Sequence, residues 1–393
     1  MPAKIKKQEI AFFVSVFLFG FCFSGGFSLA KQKPLWNDEF YTQTSSVDRQ
    51  SYGSILLGRT SEGNNYPLFY LIQKTMCGIF RYSTPPGWSQ GDWKSDPYSE
   101  IFLRINPNLF MSLSIAVIFY YFSRFYSMAA GLFSVFLSFS SYMVWNYWAE
   151  ARPYALWCFL TTLQFLSFLY IFRPGNESGR GWRWLVVSHF LLALTVVFGL
   201  IQIIFASFLV WIFLERRWRK LIWLTVIPVG ISLFYYSHTP QYNFCFSLTP
   251  EQLIRECFSR DRFYIMFLFV LFLGLSFIQK KTGCPKLFGK DTLIKGLPCL
   301  FLTLLMILGA LCVLFIFKLK DSHTGFAVTS RYFIYLTPIG IIATTLFSEH
   351  LIKSLSAKRW LQMVIFLIIG YWVLARAVKN IPFIEMFFEK IIL

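Results

Sequence analysis

Apolar runs of about 20 residues recur along almost the whole chain, each long enough to cross roughly 30 Å of hydrocarbon. They read as 10–30, 105–123, 128–146, 153–172, 184–198, 200–214, 221–236, 263–279, 297–317, 332–348 and 360–375. A chain so organised must satisfy its backbone polar groups inside each crossing segment, and helices do this. The expected fold is an all-α integral membrane protein with about 11 spans, a single polytopic domain over residues 1–393. A composition 56% hydrophobic and 14% charged excludes an ordinary soluble domain. The aromatic content, 47 Phe, 20 Tyr and 13 Trp, suits interfacial belts and lipid-facing surfaces.

The net charge of +18 would fit a nucleic-acid partner if it formed a patch. Most of the Lys and Arg instead fall in short links between apolar runs, where membrane orientation explains them, so no nucleic acid is expected. The eight cysteines are scattered, with neither CxxC nor Cys/His metal spacing, and neither zinc nor a disulfide framework is expected. Cys245 and Cys257 fall in one expected outer loop, where a pairing between them is not the expectation. The first run follows Lys4, Lys6 and Lys7 and spans 21 residues from Ile10 to Ala30. That is long for a signal peptide, so it reads as an uncleaved first span despite Ser28-Leu29-Ala30.

Residues 66–80 decide the topology. They are apolar but contain Gln73 and Lys74 and are short for a crossing. If they lie on the interface, the inner links hold 19 basic residues against five acidic, leaving 18 basic and 14 acidic outside. If they span, every later basic link moves outside. The positive-inside rule favours the first arrangement. The N-terminus is then cytoplasmic and the C-terminus outside, in a multi-pass plasma (inner) membrane protein. Large outer segments cover 31–104, 237–262 and 318–331, and Pro250 is placed to open a short helix in the second. The sequon at Asn176 falls on the inner side and is discounted.

Four polar groups then share the outer face: Asp38-Glu39; Asn64-Asn65 with Tyr66-Pro67-Leu68-Phe69-Tyr70; Glu150-Ala151-Arg152-Pro153-Tyr154; and Thr329-Ser330-Arg331-Tyr332. Acidic groups near hydrocarbon are costly unless they have a use. A positioned carboxylate can serve as a general base, and an arginine grips phosphate through a planar fork. Plainer readings exist for each. Asp38 could be a solvated loop acid, and Glu39 could pair with Lys31 or Lys33. Glu150 and Arg152 could bridge each other, and Arg331 could snorkel to headgroups. Asn65 and Tyr70 could only pack at the interface. His189, inside a span, reads as a satisfied core residue, and His238 and His323 have no paired metal ligand nearby.

Trp36-Asn37-Asp38-Glu39 after the first span, the Pro67-Leu68-Phe69-Tyr70 helix start, Glu150-Ala151-Arg152-Pro153-Tyr154-Ala155-Leu156 and the late Arg331-Tyr332 together resemble the GT-C glycosyltransferases. The resemblance is to bacterial family 39, relatives of protein O-mannosyltransferases and of the lipid A aminoarabinose transferase. It covers most of the chain in order. It implies inverting transfer of a sugar from a polyprenyl-phosphate carrier to an acceptor hydroxyl of a glycan, lipid or protein on the outer face. It places Asp38 as catalytic base, with Glu39 orienting the acceptor. Arg331 and Arg152 are the candidates to face the donor phosphate, and Glu150, Asn65 and Tyr70 are candidates for further substrate contacts. No nucleotide cofactor is implied, because the donor is itself a membrane lipid. The chain departs from the family's His-Pro-Pro-Leu-Tyr-Tyr, with Asn65 and Tyr66 replacing the His and the first Pro. A transporter or flippase for lipid-linked sugars would carry charge near the midplane of its spans, where this chain has almost none. An oligosaccharide polymerase or ligase would act on the same face with similar lipids.

Overall fold

A computed structural model describes residues 2–60, 62, 65–173, 180–213, 218–239, 298, 300–310, 330–354 and 359–389. The expected span 263–279, most of 297–317, and nearly all of the outer segments 237–262 and 318–331 lie outside the described residues. So do Cys245, Cys257, Pro250, Asn176 and His323. Among the described residues the regular structure is helical, and strand pairing is limited to an isolated bridge between Asn65 and Val196.

The first helix, α1, covers Pro2–Gln32. Short elements follow: α2 at Asn37–Tyr41, a π-helical turn at Thr42–Asp48, α3 at Tyr52–Leu56, α4 at Pro67–Ile79, and α5 at Pro97–Leu103. Next come α6 at Ile105–Phe125, α7 at Met128–Ser140, α8 at Tyr142–Trp148 and α9 at Tyr154–Ile171. Then α10 covers Arg180–Ala193 and α11 Gly199–Phe213. Later helices include Ile227–His238, Leu336–Ser354, Arg359–Lys379 and Ile381–Phe388.

Among the described residues, four helices are long and apolar enough to cross a membrane: Gln8–Gln32, Ile105–Phe125, Tyr154–Ile171 and Gln362–Lys379. The expected span 128–146 is not one straight helix. It breaks at Ser141, whose backbone is extended, and α7 and α8 meet at a 71° bend. The break frees carbonyls that hydrocarbon would leave unpaired, and side chains take them up. Trp145 Nε1 donates to Phe139 O at 2.6 Å, and Asn380 Nδ2 donates to Ser140 O at 2.9 Å. The segments expected at 200–214 and 221–236 form shorter apolar helices, and Leu300–Ala310 is the described part of 297–317.

Helix α4 has 13 residues, about 20 Å at 1.5 Å per residue, well short of a bilayer crossing. Pro67 opens it, where its missing N–H costs nothing. Its start is pinned to the link between α10 and α11: Tyr66 N donates to Thr195 O at 3.0 Å and Leu68 N to Leu194 O at 2.9 Å. Its buried side, Phe69, Tyr70, Gln73 and Cys77, faces the core. Gln73 and Asn106 join α4 to the start of α6 through a 2.6 Å side-chain bond.

Helix α1 packs on α6 through small residues. A Cβ at Gly26 would collide with the Asn108 amide, and one at Gly25 with the Phe387 ring of the Ile381–Phe388 helix, which α1 also packs against. The Asn108 amide is fully used there. Its Nδ2 donates to Phe23 O at 2.8 Å, and its Oδ1 accepts from Trp148 Nε1 at 2.9 Å. Three helices are thereby fixed beside the segment that carries Asp38 and Glu39.

Candidate active site

Asp38 and Glu39 sit in the first turn of α2. Successive residues of a helix point about 100° apart, so two adjacent acids cannot share an environment. Glu39 turns inward and is fully buried, while Asp38 keeps about a third of its side chain exposed (32%). Glu39 is saturated. Arg104 Nε reaches Oε1 at 2.9 Å and Nη2 reaches Oε2 at 2.7 Å, with both side chains at 0% exposure. The Ala151 amide donates to Oε1 at 2.6 Å and the Trp36 amide to Oε2 at 3.2 Å. Arg104 also donates to the carbonyls of Ala30, Lys33 and Pro34. The ion-pair partner of Glu39 is therefore Arg104, in place of Lys31 or Lys33. This fork ties the end of α1, the start of α6 and the 149–153 link together.

Asp38 meets two guanidinium groups on one oxygen. Arg331 Nη1 lies 2.6 Å from Oδ2, and Arg152 Nη2 lies 3.8 Å from it. The two arginines are held differently. Arg152 is nearly buried and strongly anchored. Its Nη1 donates to Thr42 Oγ1 at 2.8 Å and to Asp38 O at 3.2 Å, and pairs with Glu62 at 3.0 Å. Its bridge to Glu150 is absent from the geometry of the guanidinium, which turns to Glu62. Arg331, at 21% exposure, stands in a 3-10 turn at Ser330–Phe333. Its guanidinium lies over the rings of Trp36 and Tyr332, each at 5.7 Å. Buried Phe333, Ile334 and Tyr335 anchor that turn, and Tyr335 stacks on Trp157 of α9.

Glu150 is 3% exposed and its Oε1 has no hydrogen-bond partner. Burial pushes its carboxyl up to about 7, with Lys33 acting in the opposite sense. Burial likewise lowers Lys33, while Glu150 and Glu39 oppose the shift. The Lys33 ammonium donates to Asn146 O at 2.9 Å. Asn65 does not reach Asp38; its Nδ2 donates to Glu62 Oε2 at 2.8 Å. The Tyr70 hydroxyl is buried, close to Asn65 and near enough to Glu62 and Arg152 to feel both charges.

The site thus contains Asp38, Glu39, Glu150, Arg152 and Arg331, with Asn65 and Tyr70 behind Glu62. Glu62, Arg104 and Thr42 were not singled out from the sequence, and Lys33 was named only as a pairing partner for Glu39. Arg104 had a readable signal, a lone cation at the mouth of an apolar run. Glu62 lies two residues before Asn64-Asn65 but has no spacing relation to Arg152. Elsewhere, His189 is buried with Nδ1 2.8 Å from Leu224 O. Among the described residues no cluster of three His, Cys, Asp or Glu is placed to hold a metal ion.

Searches against protein-family models and curated proteins find no match. A solved structure, "Crystal Structure of ArnT from Cupriavidus metallidurans bound to Undecaprenyl phosphate", is similar at 14% identity and a TM-score of 0.47. The alignment covers 86% of this chain and 59% of that one, so this chain spans about three-fifths of its length. A likeness of this degree carries no weight for function, which rests on the site's own geometry.

Proposed function

We propose that this chain is a GT-C type glycosyltransferase that moves a sugar from a polyprenyl-phosphate carrier to an acceptor hydroxyl at the outer membrane face. One observation carries the reading: a part-exposed carboxylate, Asp38, converges with the guanidinium groups of Arg331 and Arg152 from distant parts of the chain. Buried neighbours hold this group beside helices long and apolar enough to cross a bilayer.

In the proposed reaction Asp38 takes the proton of the acceptor hydroxyl as its oxygen attacks the anomeric carbon. The bond from that carbon to the phosphate oxygen breaks, and inversion follows from this single displacement. The departing polyprenyl phosphate gains negative charge, which a guanidinium in place can stabilise. Arg331 suits that task because Asp38 is its hydrogen-bonded carboxylate and a phosphate can replace it. Arg152, tied to Glu62, Thr42 and the Asp38 carbonyl, suits a post that fixes the base. Glu39, saturated by Arg104 and two backbone amides, suits a structural clamp more than an acceptor contact. Glu150, buried with its Oε1 unpartnered, is the better candidate for an acceptor or sugar hydroxyl.

The full chain reconstituted in lipid, supplied with radiolabelled polyprenyl-phosphate sugars and a cell-envelope extract as acceptor, tests the reading. Label is expected to move from the lipid phosphate to the acceptor fraction. Stable donor across the pentose and hexose carriers, with donor binding intact, would contradict it.

A further inference from the structure

Glu62 is a carboxylate of the site to which the proposed reaction gives no role. It is mostly buried (8%), faces an equally buried Arg152 at 3.0 Å, and accepts from Thr42 Oγ1 and from Asn65 Nδ2. Thr42 lies four residues past Asp38, so the two share one side of the same helical run. The Thr42 hydroxyl closes a triangle, accepting from Arg152 while donating to Glu62. Arg152 then reaches on to the Asp38 carbonyl at 3.2 Å and stands 3.8 Å from its carboxylate.

We propose that Glu62 is a positioning residue that holds Arg152 back from Asp38 and so keeps the carboxylate able to accept a proton. The inference rests on the reading of Asp38 as base and deepens it. Arg152 lies between two carboxylates, 3.0 Å from one and 3.8 Å from the other. A guanidinium cannot lose its proton to relieve an imbalance. With Glu62 neutral, its full charge turns to Asp38, which already carries Arg331. Opposite charge close to a carboxylate favours the ionised form, and a base so held is a poorer proton acceptor. The remaining charged or titratable neighbours are Glu39, Arg104, Glu150, Lys33, Tyr70, Tyr154 and Tyr332. Glu39 is already matched by Arg104. Tyr70 is buried, and burial pushes its phenol up, so it stays neutral through the working range.

The test reads Asp38 directly, without turnover. Carbodiimide labels protonated carboxyl groups, and peptide mass spectrometry of the full chain in nanodiscs follows Asp38 labelling against pH. In Glu62→Gln the labelling midpoint is expected to fall by about one pH unit. In Glu62→Asp, which keeps the charge, it is expected to stay with the wild type. Where the transfer assay runs, Glu62→Gln lowers kcat by up to about tenfold, the most that a base weakened by about one pH unit can lose, without raising donor KM. If Glu62→Gln does not fold, Thr42→Val removes the bridging hydroxyl and is expected to move the midpoint in the same direction. An unmoved midpoint in the folded variant overturns the proposal. Full transfer by Asp38→Asn would sink the base assignment alone, and the labelling result would still decide the charge relation between Glu62 and Asp38.

Discussion

At the scale of single residues, two adjacent acids have opposite surroundings. Glu39 and Arg104 are both fully buried and bond through two donor–acceptor contacts. Removing one partner of such a pair leaves an uncompensated buried charge and costs about 3–5 kcal/mol. Glu39→Gln is therefore expected to lower the thermal midpoint of the purified protein sharply, while Asp38→Asn changes it little; differential scanning fluorimetry in detergent reads both. The acidic pair was legible from sequence, and so was its place after the first span. Which acid faces the opening was not, because that depends on where α2 starts and on an arginine 65 residues away in the chain. Glu150 gives a pH prediction. Its carboxyl ordinarily titrates near 4.5 and is pushed to about 7. The folded protein thus binds more protons than the unfolded chain between those values, so stability falls as pH rises through that window. The thermal midpoint should decline from about pH 4.5 to about pH 7 and level off above, and Glu150→Gln should flatten that decline.

At the scale of elements, apolar run length located α1, α6 and α9, because a long charge-free run has few alternatives to a spanning helix. It did not reveal the break at Ser141. Serine is tolerated within a helix, and the bend depends on partners supplied from elsewhere, above all Asn380. Asn380 is 1% exposed and donates to the freed Ser140 carbonyl. Asn380→Leu keeps the γ-branched shape but abandons that carbonyl, at a cost of about 1–3 kcal/mol. A lower thermal midpoint with retained donor binding is expected; an unchanged midpoint would show the contact to be dispensable. Helix α4, 13 residues long, is held by backbone bonds to Leu194 and Thr195. Those bonds had no sequence signal, since backbone pairing with a distant link leaves no pattern in side chains.

At the scale of the whole molecule, charge asymmetry sets the proposed orientation, and burial sets the proposed chemistry. A reporter active only outside the cytoplasm, fused after residue 95, should be active if the segment from 31 to 104 faces outward. Activity of a cytoplasmic reporter at the same position would reverse the orientation of the site. The four carboxylates and four cations around it differ in burial. Glu39–Arg104 is sealed, Glu62–Arg152 is nearly so, Glu150 is buried near a part-exposed Lys33, and Asp38–Arg331 is open. An exchangeable pair on a sealed foundation is what a site needs if an incoming phosphate is to take the cation and leave the base free. The most direct test is transfer by purified Asp38→Asn beside the wild type, with donor binding measured on both. Asp38→Asn is expected to fold, to bind polyprenyl-phosphate sugar, and to lose at least about 100-fold in kcat. A variant that binds donor and transfers at the wild-type rate would contradict the assignment of Asp38 as the base.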